Sequence, residues 1–232
     1  LSQRGAGLGP MADAPDRYLS PNHGPRRNGL RPSLIVLHYT AMDSAEAACA
    51  RLCDPAAEVS AHYLITGKGE TVPLVPEDQR AWHAGAGEWQ GRDDINSRSI
   101  GIELDNRGNH PFSEPQMVTL ETLLRGIMER WSIPPEGVIG HSDMAPGRKI
   151  DPGPRFDWPR LARQNLAGKG SRYAENDRGS DPTPAAFIAA AHAAGYTATD
   201  DIDLLLHSTR LRYAPWRKGP LCAADMSLGH DL

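Results

Sequence analysis

The six-residue run LIVLHY at positions 34–39 is the sequence feature that most restricts the fold of this chain. Its first four residues are aliphatic, and its first polar side chain is His38 near the end. Continuous apolar segments of this length are typical of strands that are buried on both faces. A sheet with helices on both sides provides that environment. The run therefore predicts a central strand whose last residues carry polar side chains.

The segments around this strand predict a mixed α/β domain over residues 30–166, with a central β-sheet flanked by helices. The most secure helix begins at a capping-box candidate, Ser113 with Gln116, and places one apolar face at three- and four-residue spacing. The other expected strands are 59–66, 70–75, 99–104 and 138–139, and the other expected helices are 43–53 and 157–166. Gly67-Lys68-Gly69 predicts a hairpin between the first two of these strands. Gly101, inside a strand, indicates a close approach to the backbone.

The flanking regions differ in composition from this domain. Residues 1–29 are rich in Pro, Gly, Asn and Arg and predict an irregular N-terminal arm. Residues 167–183 are almost free of apolar side chains and predict a linker. Residues 184–232 predict a small helical module, with helices at 184–194 and 200–213 and a third at 221–232. We expect this module to dock on the main domain and its deletion to spare the chemistry of the site.

Charge and hydropathy exclude several partners. The formal net charge of −4 gives no general attraction to nucleic acid or anionic membranes. No apolar run reaches the length of a membrane-spanning helix, and no secretory signal is visible, so we expect a cytoplasmic protein, with a periplasmic location as the alternative. Cysteine occurs only three times, which does not indicate a disulfide framework.

Three potential metal ligands follow strands or lie in turns: His38 in LIVLHYT, His141 in VIGHSD and Asp151 in GRKIDPGP. Such positions can bring side chains together above a sheet edge. Two imidazoles and a carboxylate suit zinc, and three protein ligands leave a fourth position open for water. The alternative is that these are ordinary hydrogen-bonded residues, because the chain has nine histidines.

Two further charged residues extend this hypothesis. Glu103 lies in the otherwise apolar strand SIGIEL. Burying a carboxylate there is unfavourable unless it has a functional role or a partner that compensates its charge. Lys149 stands two residues before Asp151, so both side chains point the same way in an extended turn. A solvent-facing glutamate and an exposed lysine remain the alternatives for these two positions.

The strings LIVLHYTA, VSAHYLI, AWHAG, SIGIEL and GHSDMAPGRKIDPGP, in this order, closely resemble the zinc-dependent type 2 N-acetylmuramoyl-L-alanine amidases. This family shares its fold with peptidoglycan recognition proteins, and the resemblance covers about residues 30–162. It implies one Zn²⁺ per chain with the metal ligands His38, His141 and Asp151. It also implies a catalytic acid/base at Glu103 and a cation beside the metal at Lys149.

The resemblance implies a groove around this centre. The matched segments contain five candidate substrate-binding residues: His62, Trp82, His83, Asn96 and Arg148. For His62 the alternative is a buried, hydrogen-bonded histidine, because the metal site is already complete without it. For Trp82 the alternative is a core position. The tail after residue 184 is similar, less specifically, to a small peptidoglycan-binding-like helical module.

The function that the resemblance implies is hydrolysis of the amide between N-acetylmuramic acid, or its 1,6-anhydro form, and L-alanine. The expected partner is a muropeptide or peptidoglycan substrate, for cell-wall turnover or recycling, and we expect a monomer. One rival is a peptidoglycan-binding protein on the same fold without catalysis, although such relatives typically lose a zinc ligand and this chain keeps all three. Another rival is a different zinc hydrolase. Soluble anhydro-muropeptides and intact wall both remain possible substrates.

Overall fold

The computed structural model describes residues 19–171 and 182–229. The expectations for residues 1–18, for 172–181 within the proposed linker and for 230–232 lie outside the described residues. Within these ranges, no helix combines the length and the apolar character that crossing a membrane requires.

A five-stranded mixed sheet forms the centre of the molecule. In spatial order its strands are Thr71–Pro73 (β4), Tyr63–Ile65 (β3), Ser99–Leu104 (β6), Leu34–Tyr39 (β2) and Val138–Gly140 (β7). The edge strand β4 runs antiparallel to β3, and the remaining neighbours are parallel. This sheet, with helices on both sides, confirms the predicted α/β fold class.

The two central strands place different residues on the two faces of the sheet. Side chains alternate along a strand, and in the parallel pair β2–β6 residue 35 lies beside residue 100. Ile35 and Leu37 therefore share one face with Ile100 and Ile102. His38 is paired with Glu103 on the opposite face. One pair of strands thus supplies both the apolar core and two of the candidate site residues.

The long helix Glu114–Trp131 (α3) covers the first face, which we call the α3 face. The Ser113 hydroxyl accepts the backbone N–H of Gln116, so the predicted N-cap is confirmed. The reciprocal half of the predicted capping box is wrong, because the Gln116 amide donates to the carbonyl oxygens of Ile65 and Asp105 instead. The helix Trp158–Arg163 (α5) adds Trp158 and Leu161 to the same core. Its observed end is three residues earlier than the predicted one.

The opposite face, which we call the site face, packs against a short helix and the C-terminal segment. These are His141–Met144 (α4), Pro184–Ala193 (α6) and Ile202–Tyr213 (α7). Val36 and Met144 form one buried cluster with Phe187 and Leu205. The residues after 182 therefore bury their apolar side chains against the central sheet, as the composition of the tail requires.

The helix Ala45–Leu52 (α1) lies over the β3–β4 end of the sheet. The Ser44 hydroxyl accepts the N–H of Ala47 and caps its N-terminus. Ala48, Cys49 and Leu52 pack against Leu64 of β3. The predicted hairpin is confirmed, since β3 and β4 pair across Gly67–Gly69, although both strands are shorter than expected.

The described part of the N-terminal arm is more regular than the sequence indicates. His23–Pro25 (β1) pairs antiparallel with Gln79–Ala81 (β5). Between β1 and the core, the Arg26 guanidinium donates to the carbonyl oxygens of Ser97, Ser99 and Glu77. These bonds tie the arm to the start of β6 and to the segment before it, which forms the short helix Ile95–Arg98 (α2).

The predicted third helix at 221–232 is wrong for the described residues. A 3-10 turn occupies Ala223–Met226, and Leu228–Gly229 (β9) then pairs with Gly170–Ser171 (β8). The Asp225 carboxylate accepts the N–H of Cys222 and the guanidinium of Arg210, which fixes a turn rather than a helix. The two tail helices predicted from the sequence are confirmed as α6 and α7.

Candidate active site

Three buried side chains converge at the edge of the sheet where β2 and β7 end. His38 is near the end of β2, His141 begins α4 directly after β7, and Asp151 lies in the loop that follows. The Nδ1 atoms of the two histidines are 2.9 Å apart, and each lies 2.9–3.0 Å from Oδ2 of Asp151. Among the described residues, these three form the group whose ligand atoms could hold a metal ion.

The proton on the His141 ring is fixed by its neighbour. Nε2 of His141 lies 2.9 Å from the carbonyl oxygen of Ala84. A carbonyl only accepts, so Nε2 carries the proton and Nδ1 of the neutral ring keeps a free electron pair. That electron pair faces Asp151.

A chain of hydrogen bonds gives the same result for His38. The Ser99 hydroxyl donates its proton to the carbonyl oxygen of Ile95 at 2.6 Å, so it accepts from Nε2 of His83 at 3.1 Å. Nδ1 of His83 is then bare and accepts from Nε2 of His38 at 3.0 Å. Nδ1 of His38 therefore also keeps a free electron pair. The ring of His83 fits here because Gly101 has no Cβ, which would lie 2.4 Å from the ring.

Three electron-pair donors that face one another without a proton between them fit a cation. Burial, followed by the nearby His141 ring, lowers the pKa of His38 to about 4, so this imidazole is neutral at pH 7. Burial alone would raise the pKa of Asp151, but its contacts with His141 and His38 outweigh burial and hold that pKa below its usual range. Neutral imidazoles and an ionised carboxylate are the protonation states that metal binding needs.

Glu103 is a half-buried residue beside this group, and its Oε2 atom is buried. Its Oε2 atom has no hydrogen-bond partner. Burial and the charge of Asp151 raise its pKa to about 8, while Lys149 acts in the opposite direction. A carboxylate with a pKa near neutrality is suited to both accept and donate a proton. The Lys149 side chain is half-buried and forms no ion pair or hydrogen bond within the described part of the chain.

These side chains line one end of a cavity of about 560 Å³. Helix α1 and the irregular segment just before β3 also line this cavity, with Arg51, Leu52, Val59 and Ser60 among the lining residues. The cavity is large enough for a ligand that extends well beyond the three convergent side chains.

The family of this chain follows from comparison with known proteins. The family model for N-acetylmuramoyl-L-alanine amidase matches residues 28–154, more than half of the chain. The chain belongs to this amidase family.

Individual relatives agree with this assignment. The N-acetylmuramoyl-L-alanine amidase AmiD of Escherichia coli is 42% identical over 152 residues, which are 59% of this chain and 54% of AmiD. The chain thus spans about half the length of that relative. The 1,6-anhydro-N-acetylmuramyl-L-alanine amidase AmpD of Salmonella typhimurium is 37% identical over 162 residues, 62% of this chain and 87% of AmpD.

Solved structures of the family have the same fold. AmiD from E. coli, in complex with the substrate anhydro-N-acetylmuramic acid-L-Ala-D-gamma-Glu-L-Lys, superposes with a TM-score of 0.72 at 31% identity and covers 86% of each chain. AmpDh3 from Pseudomonas aeruginosa gives a TM-score of 0.74 at 30% identity, over 87% of this chain and 91% of its own. Residues 19–171 alone cannot provide such coverage, so the similarity extends into the residues after 182.

Within the amidase fold, the five candidate substrate-binding residues divide into two groups. Trp82, His83 and Arg148 line the cavity. The Arg148 guanidinium donates to the carbonyl oxygens of Ala84 and Ala86, so it also holds the loop that contacts His141.

The structure places the other two candidates behind the cavity. His62 is fully buried, accepts the N–H of Gly101 at Nδ1 and contacts the Gln79 carbonyl oxygen through Nε2. The Asn96 side-chain oxygen accepts the N–H groups of His83 and Ala84. Both residues are thus occupied in supporting the 79–84 segment, and neither is among the described residues that line the cavity.

Sequence reasoning missed the supporting residues of the site. Ser99 begins β6 and fixes the proton on His83, yet a serine at a strand start carries no signal of this role. Asp143 lies two residues after His141 in the string GHSD, and its burial is visible only in the folded chain.

Proposed function

We propose that this chain is a zinc-dependent N-acetylmuramoyl-L-alanine amidase. Its substrate is a muropeptide, and the bond that it hydrolyses joins the lactyl group of N-acetylmuramic or 1,6-anhydro-N-acetylmuramic acid to L-alanine. The observation that carries the proposal is the set of three convergent ligand atoms, with the unpartnered Oε2 atom of Glu103 in the same cavity. A buried carboxylate oxygen without a hydrogen-bond partner is costly, and proton transfer in catalysis gives it a role that a binding protein lacks.

His38, His141 and Asp151 would hold the zinc ion, because two imidazoles and a carboxylate match the open catalytic type of zinc site. When bound, zinc lowers the pKa of a coordinated water to about 7 and polarises a carbonyl group. The Ala84 carbonyl oxygen and His83 orient the two imidazoles from behind.

Glu103 moves the proton in this reaction. Its carboxylate takes a proton from the attacking water, whose oxygen bonds to the lactyl carbonyl carbon. The carbon–nitrogen bond then breaks, and Glu103 delivers the proton to the leaving nitrogen of L-alanine. The Lys149 ammonium lines the same cavity and stabilises the negative charge that develops on the carbonyl oxygen.

Product analysis tests the proposal. We expect the zinc-loaded chain to convert anhydro-N-acetylmuramic acid-L-Ala-D-γ-Glu-L-Lys into anhydro-N-acetylmuramic acid and a free tripeptide, as measured by mass spectrometry. In heavy-oxygen water, the label should enter the lactyl carboxylate and not the peptide. Removal of zinc with a chelator should abolish turnover. Intact substrate, or cleavage at another amide, would contradict the proposal.

A parallel assay on intact sacculi separates the two substrate contexts. Faster release of peptide from the soluble muropeptide supports a recycling role, whereas comparable release from sacculi supports action on the wall itself. Both outcomes are measured as moles of free L-alanine-containing peptide per mole of enzyme.

A further inference from the structure

A buried ion pair joins the C-terminal segment to the helix that carries a metal ligand. The Arg212 guanidinium, on α7, donates to Oδ2 of Asp143, on α4, at 2.6 Å. The two side chains are 5% and 0% exposed. The partners are 69 residues apart in sequence, so the ion pair is a contact between the C-terminal segment and the α4 region.

The remaining bonds of Asp143 connect it to the start of α4. Oδ2 also accepts the N–H of Gly140, the residue directly before His141, at 2.7 Å. Oδ1 accepts the hydroxyl of Tyr196, which lies in the α6–α7 connection, at 2.8 Å. The carboxylate therefore fixes the backbone that leads into His141, and two residues of the C-terminal segment fix the carboxylate.

Ser142 makes a second connection of the same kind. Its carbonyl oxygen accepts the hydroxyl of Ser208, on α7, at 3.1 Å. Its N–H donates to the backbone carbonyl oxygen of Asp151 at 2.9 Å. The α4 helix thus contacts α7 on one side and the loop of the Asp151 ligand on the other.

We infer that Arg212 is a positioning residue for the metal site, acting through Asp143 on His141. The inference rests on the proposed function for the identity of the metal. Without Arg212, the buried Asp143 carboxylate would lose its countercharge and move to reach water. Because the Asp143 carboxylate accepts a hydrogen bond from the N–H of Gly140, the residue before His141, this movement displaces the Nδ1 atom of His141. The C-terminal segment then supports the metal centre. This inference replaces the expectation that deletion of residues 184–232 leaves the chemistry of the site unchanged.

The same helix offers a matched control. Arg210, on α7, forms an ion pair with the buried Asp225 at 2.7 Å. Both partners lie in the C-terminal segment, and Asp225 contacts Cys222 rather than α4. Arg210→Ala therefore removes an ion pair from the same helix without changing the contacts of His141, and Asp225 keeps its ion pair with Arg217.

The test measures zinc affinity in the full chain, by competition with a chromophoric chelator, and the visible absorption spectrum of the cobalt-substituted protein. We expect Arg212→Ala to raise the Kd for zinc about tenfold, within the range found when residues behind metal ligands are removed. Its cobalt spectrum should also change. Arg212→Lys keeps a cation beside Asp143 and should bind zinc more tightly than Arg212→Ala. Arg210→Ala should retain the wild-type Kd and spectrum even where its melting temperature falls.

Equal Kd values for Arg212→Ala and Arg210→Ala would overturn the inference while leaving the proposed function intact. A wild-type chain that binds no zinc would overturn both. If Arg212→Ala does not fold, Arg212→Met decides the question, because it keeps an apolar side chain against Trp158 but has no cation for Asp143. A rise in Kd with an altered cobalt spectrum in that variant supports the inference, and a wild-type Kd contradicts it.

Discussion

The two faces of the central sheet are built from the same strands, but one forms an apolar core and the other carries the candidate active site. On the α3 face, Ile35 and Leu37 belong to one apolar cluster with Leu120 and Leu124. On the site face, the alternate residues of the same strands include His38 and Glu103. An apolar face is stabilised by area and tolerates exchange among similar side chains. The site face depends on individual hydrogen bonds, so single-atom changes there should alter chemistry without unfolding the chain.

The largest effect is expected on the site face, from Glu103→Gln. The amide keeps the shape of the side chain but cannot accept the water proton, so kcat should fall about 10²- to 10⁴-fold. Zinc content should remain unchanged, since Glu103 is not a ligand. Steady-state kinetics on the soluble muropeptide provides the measurement, with Glu46→Gln, an exposed carboxylate on α1, as the control. Unchanged kcat in Glu103→Gln would remove this residue from the mechanism.

The α3 face should show the opposite behaviour. Leu120→Ala removes a fully buried side chain and should lower the free energy of unfolding by about 2–5 kcal/mol, as measured by urea denaturation. Val118→Ala on the exposed side of the same helix should change it by less than about 0.5 kcal/mol. The zinc Kd of the folded Leu120→Ala chain should equal that of the wild type. A weakened Kd would show that the two faces are not independent.

A polar rim of the α3 face gives a pH-dependent test. The Glu77 carboxylate accepts hydrogen bonds from Arg130, Trp131 and Tyr63. Burial alone would raise its pKa, but these bonds outweigh burial and lower it. A lowered folded-state pKa means that the stabilisation is complete above the unfolded value of about 4.3 and is lost as pH falls through the folded value.

Glu77→Gln should therefore reduce the free energy of unfolding by about 1.5–3 kcal/mol at pH 7. The difference from the wild type should shrink below about pH 4. Urea denaturation at a series of pH values provides the measurement, and Glu129→Gln, an exposed carboxylate on α3, is the control. A difference that grows as pH falls would contradict the assigned direction of the pKa shift.

The smallest effect is expected from Ser99→Ala on the site face. Without the hydroxyl, Nε2 of His83 loses its acceptor, and the ring no longer has one fixed proton position behind His38. The Kd for zinc should rise about tenfold, with little change in the free energy of unfolding. Ser97→Ala is a suitable control, because this buried serine bonds to Arg27 and Arg80 and not to His83. Equal zinc affinity in the two variants would show that the hydrogen bonds from Ser99 through His83 to His38 do not affect zinc binding.

The sequence predicted the two faces to different extents. The repeat of apolar residues from Met117 to Ile127 is a local pattern, so α3 and its buried face were predicted correctly. The strands β2 and β6 were equally clear, because their apolar runs are uninterrupted. Their register, which places His38 beside Glu103, is a property of the folded sheet and has no local signal.

The missed features all depend on contacts between residues that are distant in sequence. Gln116 has the correct spacing for a capping box, but a carbonyl of β3, 51 residues away, is a better partner for a buried amide. The strand β1 has only three residues and forms because β5 lies beside it. The ion pair of Asp143 with Arg212 likewise has no pattern in either segment.

Zinc K-edge X-ray absorption on the zinc-loaded full chain tests the central claim most directly. The account predicts a first shell of nitrogen and oxygen atoms at about 2.0–2.2 Å, with the outer-shell scattering of two imidazole rings. His141→Ala should lose one imidazole contribution. A sulfur scatterer at about 2.3 Å, or a spectrum that is the same in the His141→Ala chain, would contradict a metal centre built from His38, His141 and Asp151.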